Sequence, residues 1–229
     1  MTSNLAPRPR LTSGRIAYRN AAGNEIGRER FEIISHDGGH IMRALCEMDE
    51  IGLLRDVTTA LDLDWRPRDG FCRVIKHGKT AVTTWFGVEP GAIAVESIRD
   101  GVRLSQRLPT AYPLLYLGLH PVQGDGMVVQ VRGESDPGVF VTIAAITNSI
   151  SPNGDEELYG MPCSIDVAFI GHETVTIAAG TFEARRFALR WREDWPPANL
   201  WVRKEDCVFL LMRWSLIPNW YELTAIEDN

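Results

Sequence analysis

The stretch Glu173-Thr-Val-Thr-Ile-Ala-Ala-Gly-Thr-Phe-Glu-Ala-Arg-Arg-Phe-Ala-Leu-Arg-Trp191 decides the fold class. Three similar runs follow it: Leu200-Trp-Val-Arg203, Cys207-Val-Phe-Leu-Leu-Met-Arg-Trp214 and Trp220-Tyr-Glu-Leu223. Their Val, Thr, Phe and Trp residues suit a pleated, half-buried surface. Gly180, the pair Pro196-Pro197 and Pro218 separate the runs and mark turns. The stretch therefore predicts a meander of antiparallel strands.

The same pattern extends upstream, where short apolar runs alternate with tight-turn signals. The turns lie at Gly23-Asn24, Asp37-Gly-Gly39, His77-Gly78 and Asp100-Gly101. Such residues supply the positive φ that a hairpin needs. We expect a sequential meander from Arg15 to Gln106, closed into a lipocalin-like barrel or half-barrel. The fold class is mainly β, with one short helical or irregular segment.

The irregular segment is Leu108–Pro121, which is apolar, does not alternate and contains three prolines. Proline cannot donate to a strand ladder, so this segment is not expected to join the sheet. Two interpretations stay open: a plug or lid across one end of a barrel, or a corner between two halves. Residues 127–131 and 139–147 are predicted to be strands, giving about a dozen in all and no convincing amphipathic helix.

The chain is predicted to form a loose N-terminal arm, residues 1–13, and a single β-barrel-like domain, residues 14–229. The arm contains two prolines and little apolar sequence before Gly14. A length of 229 residues suits one all-β domain and is enough to bury a substantial core.

Composition excludes several partners and compartments. The net charge of −6 does not favour a nucleic acid or an anionic membrane as partner. No apolar run approaches the ~20 residues of a membrane span, and the first ten residues lack the apolar region of a secretory signal. The four cysteines are widely spaced, so free thiols and a cytoplasmic location are expected.

Some of these runs resemble a known group. Gly27 within Glu25-Ile-Gly-Arg-Glu-Arg-Phe31, and Val175-Thr-Ile-Ala-Ala-Gly-Thr-Phe-Glu-Ala-Arg185 followed by Leu200-Trp-Val202, resemble uncharacterised bacterial β-barrel proteins that are similar to lipocalins and lipoprotein carriers. The resemblance covers most of the chain and implies the fold and an internal cavity. It differs in lacking an export signal, and it implies no catalytic residues.

Familiar catalytic motifs are absent from the sequence. There is no Gly-x-Gly-x-x-Gly, no phosphate-binding loop, no Gly-x-Ser-x-Gly and no His-Glu-x-x-His. Chemistry based on nucleotides, a serine nucleophile or a zincin site is therefore disfavoured, and no organic cofactor is expected. His36 and His40 could face each other across a turn, but zinc needs three or four ligands, so no metal site is predicted.

The candidate catalytic residues are His120, Tyr116 and Asp125, which lie in or just after the apolar segment. A histidine in an apolar cavity can take or give a proton, and a carboxylate can fix its tautomer. Tyr116 could donate to a developing oxyanion. The alternative is that His120 only bonds a backbone carbonyl at a strand entrance.

The candidate substrate-binding residues are charged or aromatic positions in otherwise apolar strands: Arg55, Arg73, Trp65, Trp85 and Trp201. Trp191, Trp214 and Trp220 belong to the same aromatic set, and Arg190, Arg192, Arg203 or Arg213 could meet a ligand anion. Core packing for the tryptophans, and a solvated sheet face for the charges, are the alternatives.

Three functions remain open. The first is a protein that acts on a small hydrophobic or aromatic molecule by cofactor-independent acid–base chemistry, as a lyase, isomerase or cyclase. The second is a non-catalytic binder or carrier of an apolar ligand, and the third is a structural or assembly factor. A homo-oligomer is left open. A cavity with convergent polar groups would favour the first function, an apolar cavity the second and a filled barrel the third.

Overall fold

The computed structural model describes residues 9–156 and 158–229. Eight strands form the first half of the sheet: β1 (Arg10–Arg19), β2 (Glu25–His36), β3 (Gly39–Met48), β4 (Leu53–Leu61), β5 (Pro67–Lys76), β6 (Lys79–Glu89), β7 (Ala92–Arg99) and β8 (Val102–Pro109). The second half contains β9 (Tyr116–Gly118), α1 (Val122–Arg132), β10 (Val141–Thr147), β11 (Met161–Ile177), β12 (Gly180–Arg190), β13 (Ala198–Arg203), β14 (Phe209–Arg213) and β15 (Trp220–Asp228). A 3-10 turn at Asp49–Ile51 joins β3 to β4.

All fifteen strands of the described residues belong to one sheet. Its order is β8-β7-β6-β5-β4-β3-β2-β1-β15-β14-β13-β12-β11-β10-β9, with β1 and β15 joining the halves. The mainly antiparallel fold class is confirmed. Of the two predicted forms, barrel and half-barrel, the closed barrel is wrong, because β8 and β9 are the two edges of an open sheet. At the β8 edge, the side-chain amide of Gln106 donates a 3.2 Å hydrogen bond to the Gly160 carbonyl and accepts a 3.1 Å hydrogen bond from the Gly160 N–H.

The meander predicted from Arg15 to Gln106 is confirmed, because each of β1–β8 pairs antiparallel with the next. The turns at His77-Gly78 and Asp100-Gly101 have positive φ at both residues. This conformation matches the twist of the strands that flank a two-residue hairpin.

Helix α1 corrects the prediction that residues 127–131 are a strand and that the one helical segment lies near Tyr112–His120. Instead, residues 116–118 form β9, and β9 pairs parallel with β10 after a crossover through α1. The sequence of α1 is rich in Val and Gly, which are poor helix formers. Tertiary contacts therefore decide its conformation, as they often override propensity.

The N-terminal arm was predicted to extend to residue 13, but β1 begins at Arg10. Residues 10–13 pair with β2, and Thr12 donates a 2.6 Å hydrogen bond to Asp228 of β15. The pairing with both neighbours explains why this part of the arm is ordered as a strand. Of the other predicted arm residues, Pro9 precedes β1 and residues 1–8 lie outside the described residues.

The concave face of β1–β8 is covered by the chain between β8 and β11. Leu117 and Leu119 lie so close to Gly70 that a Cβ there would stand 2.6 and 3.2 Å from them. Gly160 lies in the same way against Val95 and Leu108. Glycine at these positions therefore permits close packing. Part of the Leu108–Pro121 segment therefore packs against the core as the predicted plug does. The expectation that the segment stays out of the sheet is wrong, because Leu108 and Pro109 end β8 and residues 116–118 form β9.

The four cysteines are free, and three of them are fully buried. Within residues 9–156 and 158–229, no helix combines the length and apolar character needed to span a membrane.

Candidate functional site

A cavity of about 400 Å³ opens in the second half of the sheet. Its lining comes from the ends of β9, β10 and β11, from the start of α1, from β14 and β15, and from two loops. The polar lining residues are Tyr116, His120, Asp125, Thr147, Ser149, Ser151, Cys163, Ser164 and Arg192. The apolar and aromatic lining residues are Val122, Ala145, Ile150, Pro152, Ile165, Trp191, Trp195, Met212, Trp214 and Tyr221, with Gly118. This volume lies within the range typical of small-molecule sites, ~300–1,000 Å³.

Asp125 and Tyr116 form the polar end of the cavity. The Tyr116 hydroxyl donates a 2.9 Å hydrogen bond to the Asp125 carboxylate. Burial, with a smaller contribution from the Glu29 charge, raises the pKa of Asp125 to about 7, against the lowering effect of the Tyr116 bond. Burial also raises the pKa of Tyr116 well above its usual value. Asp125 is therefore the lining group that can exchange a proton near neutral pH.

Glu29 of β2 holds α1 in place. Its carboxylate accepts hydrogen bonds from the backbone N–H groups of Val122 and Gln123, at 2.7 and 3.0 Å, and from the Tyr18 hydroxyl at 2.9 Å. The first N–H groups of a helix lack intrahelical partners and carry a partial positive charge, so a carboxylate there is favourable. Even so, full burial raises the pKa of Glu29. This contact starts the helix three residues before Asp125.

Gln123 and Gly126 fix the opposite side of α1. The Gln123 side chain donates to the Cys207 carbonyl at 2.9 Å and accepts from the Phe209 N–H at 3.0 Å. At Gly126 a Cβ would lie 2.6 Å from the same Cys207 carbonyl oxygen. These contacts aim Asp125, between two glycines, into the cavity.

His120 occupies the opposite wall with a left-handed backbone (φ 72°), which is rare for a residue that has a Cβ. Its Nε2 lies 3.1 Å from the Ser149 carbonyl oxygen, so Nε2 carries the proton. Burial, assisted by the nearby Arg55 charge, lowers the pKa of His120 to about 3. His120 is therefore neutral at pH 7, as predicted from its apolar surroundings, but it is a weak base.

The loop 148–156 forms the wall behind His120. Buried Arg55 donates through Nη2 to the carbonyls of Asn153 and Gly154, at 3.2 and 2.5 Å. Gly154 has φ 65°, and a Cβ there would lie 2.5 Å from the His120 ring. Arg55 thus supports the cavity wall from behind and does not line the cavity, contrary to its predicted contact with substrate.

Three tryptophans form the aromatic wall. Trp191 follows β12, Trp195 lies in the next loop and Trp214 follows β14. The ring centroids of Trp191 and Trp195 are 5.0 and 5.3 Å from that of Trp214, whose indole N–H donates to the Pro196 carbonyl. Such tilted pairs stabilise one another beyond their buried area, which gives the cavity a fixed aromatic face.

The other predicted substrate-binding residues lie elsewhere. Arg73 pairs with Asp56 at 3.3 Å on the opposite face of the sheet from the core, and Trp85 is 45% exposed on that side. Trp65 stacks on His40, and Trp201 donates to Glu173. Strand alternation and turn geometry separate all four from the cavity.

The remaining candidates are accounted for by other contacts. Of the four arginines considered for a ligand anion, Arg192 alone lines the cavity. His40 bonds Ser35, and His36 accepts from the Gly38 N–H. Within the described part of the chain, no three His, Cys, Asp or Glu residues are grouped as metal ligands.

Sequence reasoning missed Trp195, Thr147, Ser149 and Met212 as lining residues. Trp195 lies beside the Pro196-Pro197 pair in a polar loop, so no strand pattern drew attention to it. Trp191 and Trp214 were in the aromatic set, and a common signal existed: both immediately follow a strand at the same sheet end. The position of a tryptophan at the end of a strand would therefore have identified these lining residues better than the tryptophan content of the sequence did.

The fold and this cavity define a class: a large, open, mostly antiparallel β-sheet that wraps a helix and an aromatic cavity. Among solved structures, the chain is similar to a beta-barrel-like protein of the domain of unknown function DUF1849 from Brucella abortus. The TM-score is 0.59 at 12% identity, covering 98% of this chain and 100% of that chain. This likeness shows the fold alone. A second structure, of a protein with a YmcC-like fold from Bacteroides fragilis, has a TM-score of 0.32 at 8% identity over 97% of each chain.

No protein-family model matches the sequence, and no curated protein matches it significantly.

Proposed function

We propose that this protein binds a small, largely aromatic molecule in the cavity formed by α1, β9–β11, β14 and β15. The observation that carries the proposal is the combination of a fixed wall of three tryptophans with a polar end made by Tyr116 and Asp125. Specific small-molecule sites combine these features: apolar surface for affinity and a few placed polar groups for orientation. A space of about 400 Å³ also disfavours a purely structural role, in which the interior would be filled.

Native mass spectrometry of the purified protein tests the proposal directly, because a retained ligand adds a defined mass that organic extraction removes. The three cavity tryptophans also provide a fluorescence signal for titration of aromatic compounds. Trp191→Leu should weaken binding at least tenfold. Trp85→Leu, which removes a tryptophan outside the cavity, should leave the affinity unchanged. Equal effects of the two substitutions would contradict the assignment of the cavity.

Acid–base catalysis on the bound molecule is the second candidate, and the Asp125–Tyr116 pair favours it. A carboxyl with a pKa of about 7 can remove a proton from a ligand and return it at another atom. Once Asp125 has taken the proton, the Tyr116 hydroxyl is released from the carboxylate and can stabilise an oxyanion that develops next to it. These steps suit a lyase, isomerase or cyclase without an organic cofactor. The base is Asp125, because His120 has a pKa of about 3 and its Nε2–H is bonded to Ser149.

Turnover of a cavity ligand separates these two candidates. Asp125→Asn keeps the size of the side chain and removes the base, so it should lower turnover about 100-fold or more. His120→Ala should change turnover much less in molecules that remain folded. Recovery of every bound ligand unchanged would instead support a carrier, the function suggested by the resemblance to lipocalins.

A further inference from the structure

The charge around the cavity bears on the kind of ligand it would hold. The titratable groups that interact with Asp125 are all acids: Tyr116 on β9, Tyr221 on β15 and Glu29 on β2. Among residues 9–156 and 158–229, no Lys, Arg or His nitrogen pairs with the Asp125 carboxylate. Glu29 has the N-terminus of α1 as its partner, whereas the one partner of Asp125 within the described residues is the neutral hydroxyl of Tyr116.

The two basic side chains of the lining do not supply this charge. His120 is neutral at pH 7 and donates to the Ser149 carbonyl. Arg192 is exposed, and both of its bonding nitrogens are 3.0 Å from the carboxylate of Asp194. The polar end of the cavity therefore contains a carboxyl whose counter-ion the described chain does not provide.

The aromatic wall favours a cation as well. The face of an aromatic ring is negative, and Trp attracts cations most strongly among the aromatic side chains. The Arg192 guanidinium already lies 5.0 Å from the centre of the Trp195 ring, on the rim of the cavity. Trp191 and Trp214 extend the same kind of surface inward.

We propose that the ligand is an organic cation: a protonated amine attached to an apolar, preferably aromatic, body. The ammonium group donates to the Asp125 carboxylate, and the body packs among Trp191, Trp195 and Trp214. This inference rests on the proposed function, because it names the chemical class of the molecule in the same cavity. An anionic ligand would meet Asp125 without a compensating positive charge, and that costs affinity.

Calorimetric titration of three indole probes tests the charge alone. Tryptamine, tryptophol and indole-3-acetate share the ring and nearly the same length, but their terminal groups are cationic, neutral and anionic. At pH 7.5 tryptamine should bind at least tenfold more tightly than tryptophol, and indole-3-acetate more weakly than both. Asp125→Asn should remove the preference for tryptamine and keep the binding of tryptophol. Asp64→Asn, which removes an exposed carboxylate outside the cavity, should change nothing.

The outcomes separate the two proposals. If tryptophol binds as tightly as tryptamine, or indole-3-acetate binds best, the proposal of a cationic ligand is wrong, and the proposal that the cavity binds an aromatic molecule stands. If Asp125→Asn retains the preference for tryptamine, the assignment of Asp125 is wrong. If none of the probes binds and the purified protein retains no ligand, both proposals fail. Circular dichroism and thermal melting of Asp125→Asn check that the variant is folded before any of these comparisons is made.

Discussion

Strands β1–β8 and strands β10–β15 belong to one sheet, but their concave faces are covered differently. On β1–β8 the cover is in close contact: the side chains of Leu117 and Leu119 lie against Gly70 of β5, and those of Val95 and Leu108 lie against Gly160. On β10–β15 the cover is α1, and a cavity of about 400 Å³ remains beside it. An extended segment can follow a twisted sheet closely. A helix is a stiff cylinder about 10 Å wide and leaves space along its side.

The two regions also differ in where their polar groups lie. The outer face of β1–β8 has exposed ion pairs such as Arg73–Asp56, which are typical of a solvated sheet face. Each region buries a carboxyl bonded to a tyrosine, Glu29 with Tyr18 and Asp125 with Tyr116, but Asp125 and Tyr116 line the cavity. Buried polar groups cost free energy unless they are bonded. Glu29 meets this condition through the N–H groups of α1 as well, whereas Asp125 and Tyr116 bond each other beside open space, the arrangement on which the proposed ligand site rests.

The contact that joins the two regions should have the largest effect on stability. Glu29→Ala removes the acceptor for two helix N–H groups and for Tyr18, leaving buried donors unsatisfied. Each such group costs ~1–3 kcal/mol, so we expect a loss of about 5 kcal/mol in the free energy of unfolding. Denaturant titration measures it. Glu32→Ala on the same strand has a partly exposed ion pair at 3.6 Å and should cost less than about 0.5 kcal/mol.

The buried carboxyl of the second half should make stability fall as the pH rises. The pKa of Asp125 is raised from 3.8 to about 7 on folding, so the folded state holds the proton more tightly. The stability that this bound proton contributes is fully present below pH 4 and is lost between pH 4 and 7. The difference corresponds to roughly 4 kcal/mol.

Asp125→Asn isolates this contribution, because asparagine is neutral at every pH. As the pH rises from 4 to 7, the wild type should lose unfolding free energy relative to the variant, and above pH 7 the difference should level off. Glu29, whose pKa is also raised, gives both proteins a slope of the same sign, so what remains of it in the difference is its charge interaction with Asp125. A difference that does not change between pH 4 and 8 would show that Asp125 is well solvated.

The regular half was readable from the sequence because its signals are local. A pair such as Asp100-Gly101 supplies the positive φ for a hairpin within two residues, and the strands on either side then pair in sequence. The segment that holds His120 and Tyr116 was also recognisable, since its prolines and its lack of alternation set it apart. Proximity in the sequence was enough to group both with Asp125.

The second half depends on contacts that the sequence does not display. Helix α1 forms where Glu29 meets Val122, 93 residues apart, and its own Val and Gly residues predicted a strand. Trp201 stands between Leu200 and Val202 in an apolar run, and the sheet buries these two neighbours and turns the tryptophan to the other face. Asp62, through its Oδ1, accepts from the N–H groups of Asp64 and Arg66, which ends β4 before Trp65. Each of these features moved a predicted residue.

A smaller effect is expected where the two regions touch at the cavity wall. In Gly154→Ala the left-handed backbone costs ~1–2 kcal/mol, and the new Cβ would stand 2.5 Å from His120 and 2.6 Å from Arg55. Overpacking adds ~1–3 kcal/mol, so we expect a total of about 3 kcal/mol. Gly138→Ala is the matched control, since its φ is 82° and nothing lies within 4 Å of its Cβ position. Equal losses of thermal stability in the two variants would show that His120 and Arg55 move aside at little cost.

The smallest effect should come from Arg73, the predicted substrate residue that lies on the outer face of β5. Its ion pair with Asp56 is 43% exposed on both side chains, and exposed pairs contribute ~0–1 kcal/mol because water and salt screen them. Arg73→Ala should therefore change the free energy of unfolding by less than about 0.5 kcal/mol. A double-mutant cycle with Asp56→Ala should give a coupling energy of the same small size.

The affinity of Arg73→Ala for any cavity ligand should stay unchanged, because the sheet itself separates Arg73 from Asp125. A tenfold loss of affinity in Arg73→Ala would mean that a ligand also reaches the outer face, and the division between a solvated first half and a ligand-holding second half would be wrong.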